Sequence, residues 1–167
     1  MLLEWRKIDG YENYSINQNG EVRNDKTERL LKLFLCNTGY KITHLYKKGI
    51  KKTYLVHRIL CMAFIPNPNN YNYVDHKNGI KTDNRVQNIR WCNASQNMRN
   101  IKKRKNTTSY YKGVHLHKRS KKWQTSCRLN GVKKHIGVFD NEDEAAKAYN
   151  RFIIANNLDD FCILNVI

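Results

Sequence analysis

A chain of 167 residues with 31 Lys and Arg against 14 Asp and Glu carries a formal charge of +17. Such a surplus attracts polyanions and releases their counterions on contact, which makes nucleic acid the leading partner. Hydrophobic residues at 40% and charged residues at 27%, with only 2 Pro and 8 Gly, exclude disordered, collagen-like and low-complexity chains. No segment approaches the ~18 apolar residues of a membrane span. With no signal-peptide run, basic amphipathic helix or lipidation signal, the expectation is an intracellular protein that is neither secreted nor membrane-bound. Five cysteines at 36, 61, 92, 127 and 162 are odd in number and form no C-x-x-C pair. That pattern predicts buried reduced thiols rather than a zinc ribbon or a disulfide framework.

Short strands come first in chain order. Tyr14-Ser15-Ile16 and Glu21-Val22-Arg23 flank Asn19-Gly20, a strong hairpin-turn pair. Residues 39–42 and 52–55 form a second pair around Lys47-Lys48-Gly49. Residues 57–64 read as a short helix that Pro66 and Pro68 stop. Next come a strand at Tyr73-Val74-Asp75, a long polar loop and a strand at Ile89-Arg90-Trp91. A helix follows, with Asn93 and Gln96 spaced as in a capping box. Residues 101–109, I-K-K-R-K-N-T-T-S, make a basic linker suited to a path along phosphates. Strands at 111–117, 123–130 and 133–138 follow, the last two joined by Asn130-Gly131. Asn141 then caps a helix with Glu142, Asp143 and Glu144 in its first turn. Ala145, Ala148, Phe152 and Ala155 recur at helical spacing and give it a narrow, mostly small apolar stripe.

The fold class expected is α+β. A β-rich module at 1–65 precedes a β-β-α motif at 66–100, the linker at 101–109, and a three-stranded antiparallel sheet on one helix at 110–167.

One constellation carries chemistry. Asp75-His76 precedes the turn Lys77-Asn78-Gly79, then Asp83-Asn84-Arg85, Asn88-Ile89-Arg90-Trp91 and Asn97. The spacing brings an acidic oxygen and a histidine at a strand end opposite an amide on the following helix. The run V-D-H-K-N-G-I-K-T-D-N-R-V-Q-N-I-R-W, continued to Asn97, resembles the HNH homing endonucleases of the phage intron-encoded type with Asp-His in place of His-His. The upstream V-H-R and W-R-K-I-D-G-Y-E-N-Y-S-I-N-Q-N-G-E-V look like the small β module that accompanies this class.

The resemblance implies a ββα-metal (His-Me finger) core and covers roughly the first hundred residues. It implies that His76 is the general base for an attacking water, a role suited to an imidazole of ordinary pKa ~6.5. It assigns Asp75 and Asn97 to one divalent cation, Mg²⁺ or another such as Mn²⁺, as hard oxygen donors favour. Asn88, the middle member of the catalytic set, is expected to fix the loop by hydrogen bonds, and Arg90 to meet phosphate. His57 is a rival histidine whose place at the start of an apolar helix favours a structural role.

Y-K-G-V at 111–114, Trp123 and G-V-F-D-N-E-D-E-A-A-K-A-Y-N-R at 137–151 resemble the APETALA2-type DNA-binding domain. That family implies a sheet that enters the major groove. Alternation turns Val114, Leu116, Ile136 and Val138 toward the helix. The opposite face collects His115, His117, Gln124, Ser126, Arg128, Lys133 and His135, which together with Lys112 and Arg119 form the predicted DNA-binding set.

The leading function is a site-directed DNA endonuclease that hydrolyses phosphodiester bonds with one divalent metal and a histidine general base. The alternatives are a non-catalytic sequence-specific transcriptional regulator and a general basic nucleic-acid packager. The catalytic set disfavours the first, and both motif sets disfavour the second. Double-stranded DNA is the expected partner and a monomer the expected state, with one site per chain favouring nicking. Abundant Asn, Lys, Ile and Tyr fit an AT-rich mobile element or virus.

Overall fold

The structure, a computed structural model, describes residues 3–101, 107–129 and 131–167. Most of the basic linker and Asn130 of the expected Asn130-Gly131 turn lie outside the described residues. The chain divides into two compact units, Met1–Asn93 and Ala94–Ile167.

In the first unit β1 (Trp5–Ile8), β2 (Tyr11–Asn17) and β3 (Val22–Asn24) form one antiparallel sheet in that order. The turn between β2 and β3 is the expected Asn19-Gly20 hairpin. Gly20 takes φ +77 there, a conformation that costs glycine little. Fully buried Asn17 staples the turn, its Oδ1 accepting from the backbone N–H of Asn19 and of Glu21, both at 3.0 Å. A second sheet, β4 (Phe34–Leu35), β5 (Lys41–Lys47) and β6 (Ile50–Leu55), runs directly into helix α1 (Val56–Phe64).

Helix α1 has no side-chain N-cap and ends in extended backbone at Ile65, before Pro66. Packing therefore holds it. Val56, Ile59, Leu60 and Cys61 are buried in one core with Ile16, Leu45, Val74 and Ile89. The last two come from a two-stranded antiparallel ribbon, β7 (Tyr73–His76) and β8 (Ile89–Cys92). Trp91 in β8 donates its indole N–H to the Ile65 carbonyl at 2.8 Å, fastening the ribbon to the end of α1.

The second unit holds α2 (Ala94–Arg99), then β9 (Val114–His117), β10 (Lys122–Leu129) and β11 (Val132–Phe139) in sheet order β11-β10-β9, with α3 (Glu142–Ala155) against it. The expected cap is present: Asn141 Oδ1 accepts from the N–H of Asp143 at 2.7 Å and of Glu144 at 3.3 Å. Glu142, Asp143 and Glu144 occupy the first turn of the helix. Ala145, Ala146 and Ala148 are buried along α3, and buried Thr125 on β10 donates its hydroxyl to the Ala145 carbonyl at 3.0 Å. Small side chains allow that approach.

Three expectations are corrected. Strand β9 begins at Val114 instead of 111, because Gly113 turns the chain at φ +76. Val138 does not face α3; it lies opposite Gln124 and is 47% exposed. A register shift at Thr125/Ser126 leaves Ile136 as an extra residue in β11, and such a bulge changes which face later residues occupy. Cys36 is half-buried, whereas the other four cysteines are buried; all five are free thiols.

Gly113 also shows why glycine stands in the Y-K-G-V run. A Cβ there would lie 2.2 Å from two ring carbons of Tyr149, itself only 3% exposed. Gly113→Ala is expected to lower stability by about 2 kcal/mol through overpacking and backbone strain, as read in thermal or urea unfolding. Among the described residues, no helix is long and apolar enough to cross a membrane.

Candidate active site

The β7/β8 register sets Asp75 directly across from Arg90 and His76 across from Ile89. Arg90 Nε and Nη2 both donate to Asp75 Oδ2, at 2.9 and 2.7 Å. The two side chains are only 12% and 8% exposed. Arg90, expected at a phosphate, is thus engaged by Asp75 across the ribbon.

Neighbours on a strand leave it on opposite faces. His76, the last residue of β7, accordingly meets other partners. Its Nε2 lies 3.0 Å from Asn84 Oδ1 in a fully buried contact. Its ring stands edge-on to His57 at 5.1 Å and 5.8 Å from Tyr40. Burial pushes the His76 imidazole below its ordinary value; the hydrogen bond to Asn84 and the charges of Asp75 and Asp83 draw it part of the way back.

His57, near the start of α1, packs 4.7 Å from Tyr40. Its Nδ1 is buried without a hydrogen-bond partner among the described residues. Burial first, then the His76 and Arg58 charges, lower its pKa from 6.5 to about 3. The unfolded chain therefore binds a proton that the folded unit excludes. Stability is lost as pH falls from 6.5 toward 3 and is unaffected by this group at higher pH. His57→Phe is expected to flatten that acid-side loss, read as the urea midpoint across a pH series.

The loop between β7 and β8 is tied from within. Asn88, 7% exposed, accepts from the Asn78 N–H at 3.0 Å, donates from Nδ2 to the Asp83 carbonyl at 2.8 Å, and takes the Lys77 N–H on its own carbonyl at 2.8 Å. Arg85 chelates Asp83 through Nε and Nη2, each at 2.8 Å, and holds that carboxyl well below the usual range. The loop is also tied from outside: the Val86 N–H donates to the Gln18 carbonyl at 2.7 Å. Sequence reading gave Asn84 no role. Its only signal was membership of the D-N-R triplet.

Asn97, the other assigned metal donor, lies half-buried on α2 in the second unit. Among the described residues no group of three or more His, Cys, Asp and Glu side chains is placed to hold a metal ion. Asp75 and Asn97 are each hard oxygen donors, one a carboxylate and the other an amide.

Also in the second unit, strand pairing sets His115 against Gln124, Ser126 against His135 and Arg128 against Lys133. These residues and His117, across from Lys122, share the sheet face away from α3. Arg119 is exposed in the β9–β10 turn. Lys112 sits elsewhere: it is half-buried, and its ammonium donates to the Arg99 carbonyl.

Residues 4–46 match the NUMOD4 motif and residues 54–99 match the HNH endonuclease family. The two matches follow one another along the first hundred residues. Over 97 residues the chain is 41% identical to the uncharacterized HNH endonuclease L245 of Acanthamoeba polyphaga mimivirus, a match covering 58% of this chain and 29% of that protein. It is 36% identical over 99 residues to DNA endonuclease I-HmuI of Bacillus phage SP01, covering 59% and 57% respectively. H-N-H endonuclease F-TflII of Escherichia phage T5 is 30% identical over 90 residues, covering 53% and 47%. A solved structure described as DNA binding and cleavage by the HNH homing endonuclease I-HmuI aligns at a TM-score of 0.54 and 36% identity, covering 58% of this chain and 56% of that one. The chain spans less than two thirds of the length of these relatives.

Proposed function

We propose that this protein is a DNA endonuclease of the HNH homing type, which hydrolyses phosphodiester bonds in double-stranded DNA. The observation that carries the reading is His76: a buried imidazole at the end of β7, held by Asn84, within the segment that matches the HNH family. The likeness to I-HmuI, described as binding and cleaving DNA, supports the substrate class.

His76 takes a proton from the attacking water. Its lowered pKa keeps it neutral, and so able to accept that proton, at physiological pH. Asn88 holds the His76–Ile89 connection in shape through three hydrogen bonds. Asp75 and Asn97 are the oxygen donors assigned to a divalent cation, Mg²⁺ first; for Asn97 the support is the HNH match, which runs to residue 99. When bound, the cation supplies charge stabilisation at the phosphate and at the leaving 3′ oxygen. The test is a supercoiled-plasmid assay on source DNA, with Mg²⁺ or with EDTA. Open-circle or linear product only with metal is expected, and cutting that persists in EDTA would overturn the metal assignment.

The second unit we read as an APETALA2-type DNA reader that works through its β9–β11 sheet. Support comes from the shared face of His115, His117, Gln124, Ser126, Arg128, Lys133 and His135. These donors and acceptors fit a β element in the major groove. Substituting Arg128 and Lys133 together by Ala is expected to weaken DNA binding and reduce the log–log salt slope by about 2, one for each cation that no longer displaces counterions from the DNA. A monomer acting where its target DNA lies, nicking one strand per encounter, completes the reading.

A further inference from the structure

Among the described residues, the loop bearing Asn84 is seated by the N-terminal motif as well as by its own bonds. A Cβ on Gly20 would lie 2.7 Å from Asn84 Cβ, 3.0 Å from the Asn84 carbonyl and 3.4 Å from Val56 Cγ1. The β2–β3 turn, the β7–β8 loop and the start of α1 therefore close on one point that admits no side chain. Beside it the Val86 N–H meets the Gln18 carbonyl at 2.7 Å.

Asn84 is 3% exposed, and its Nδ2 has no hydrogen-bond partner among the described residues. A buried amide left half-satisfied is costly. What it keeps is the single bond from Oδ1 to His76 Nε2. A carbonyl-type oxygen can only accept, so this placement of the Asn84 amide calls for the proton on Nε2 and the basic lone pair on Nδ1.

We propose that the Gln18–Gly20 turn is a working part of the active site: it seats Asn84, and Asn84 fixes the tautomer and ring plane of His76. Asn84 and Gly20 are positioning residues that act through His76. The proposal rests on the reading of His76 as general base for its effect on rate. Its effect on the tautomer stands apart from that reading. It gives the N-terminal motif a role in turnover that a purely DNA-holding module would not have.

The experiment is ¹⁵N-histidine NMR of the full chain, in which the two ring-nitrogen shifts report the tautomer, paired with plasmid cleavage kinetics. In the wild type His76 is expected as the Nε2–H form. Asn84→Ala should move it to a mixture of tautomers, and Asn84→Asp, which keeps an oxygen acceptor, should restore Nε2–H. Gly20→Ala should reproduce the Asn84→Ala signature. Gly49→Ala is the matched control: it has the same φ of +77, but nothing lies within 4 Å of its added Cβ. If Gly20→Ala fails to fold, Val86→Pro deletes the donor to Gln18 at the first position of a 3-10 turn, where proline is tolerated, and should shift the signature in the same direction.

Cleavage by Asn84→Ala should fall at least about tenfold in kcat with KM within about twofold. A wild-type Nδ1–H tautomer, or Gly20 and Val86 variants that fold yet leave His76 unchanged, would overturn the proposal. If the wild type shows the expected tautomer and never cuts, the nuclease reading falls while the positioning link stands.

Discussion

His76→Ala is expected to abolish plasmid cleavage, slowing it by about 10³-fold or more, while the variant retards the same DNA on a gel nearly as well as the wild type. A positioned general base contributes about 10²–10⁴-fold, and among the described residues of the first unit no other histidine is placed to replace it. His57 is a neighbour within reach, but its pKa near 3 and its buried Nδ1, without a hydrogen-bond partner among the described residues, make it a packing residue. On the proposed reading, phosphate is met by the surface Lys and Arg that give the chain its charge, so binding should survive. A loss of binding as large as the loss of cutting would mean that His76 serves the fold. His76→Gln, which fills more of the space beside His57, separates the two cases: it should cut no better than Ala and melt closer to the wild type.

The second large effect is on stability. Arg90→Ala should cost the first unit about 3 kcal/mol, because it leaves the 8%-exposed Asp75 carboxylate without its cross-strand cation. Asp75→Ala should cost a similar amount by removing the oxygen on which both guanidinium donors converge. The double variant should cost clearly less than the sum, since the cross-strand pair can be lost only once. Urea unfolding of the three variants and the wild type forms the cycle. Additive losses would show that the pair contributes little and that packing of the Arg90 stem dominates. Arg90→Lys is expected to recover only part of the stability, because an ammonium cannot place two donors on Oδ2 as the planar guanidinium does.

Local chemistry was legible in the sequence; contact between distant segments was not. Asn19-Gly20 announced a hairpin and Asn141 a helix cap, because turns and caps are decided within a few residues. Short strand-forming runs, Tyr73-Val74-Asp75 and Ile89-Arg90-Trp91, on either side of a polar loop announced β7 and β8. The Asp75–Arg90 pair needed the register of that ribbon, which alternation alone does not set. Gly20 was readable as a turn glycine, but its second reason, the room it leaves for Asn84, depends on a contact made only in the folded unit. Val138 was misplaced for a related cause: a bulge opposite Thr125/Ser126 inserts Ile136 and breaks the period of two on which the strand was read. Asn84 stayed silent because one amide among several in a loop has no periodicity to mark which of them turns inward.

The second unit also separates its charges. Every Asp and Glu it contains comes at or after Asp140, so the strands β9–β11 carry none while the first turn of α3 carries three. In the field of a polyanion the Lys and Arg of the sheet are drawn in while the carboxylates at either end of α3 are repelled, which biases the approach toward the sheet. On the proposed reading of this unit, fewer random orientations are then wasted in collisions with DNA, and the encounter rate gains before any base is touched. Salt acts on the approach itself: raising ionic strength shortens the range of the bias, so the on-rate drops even for DNA that lacks the target.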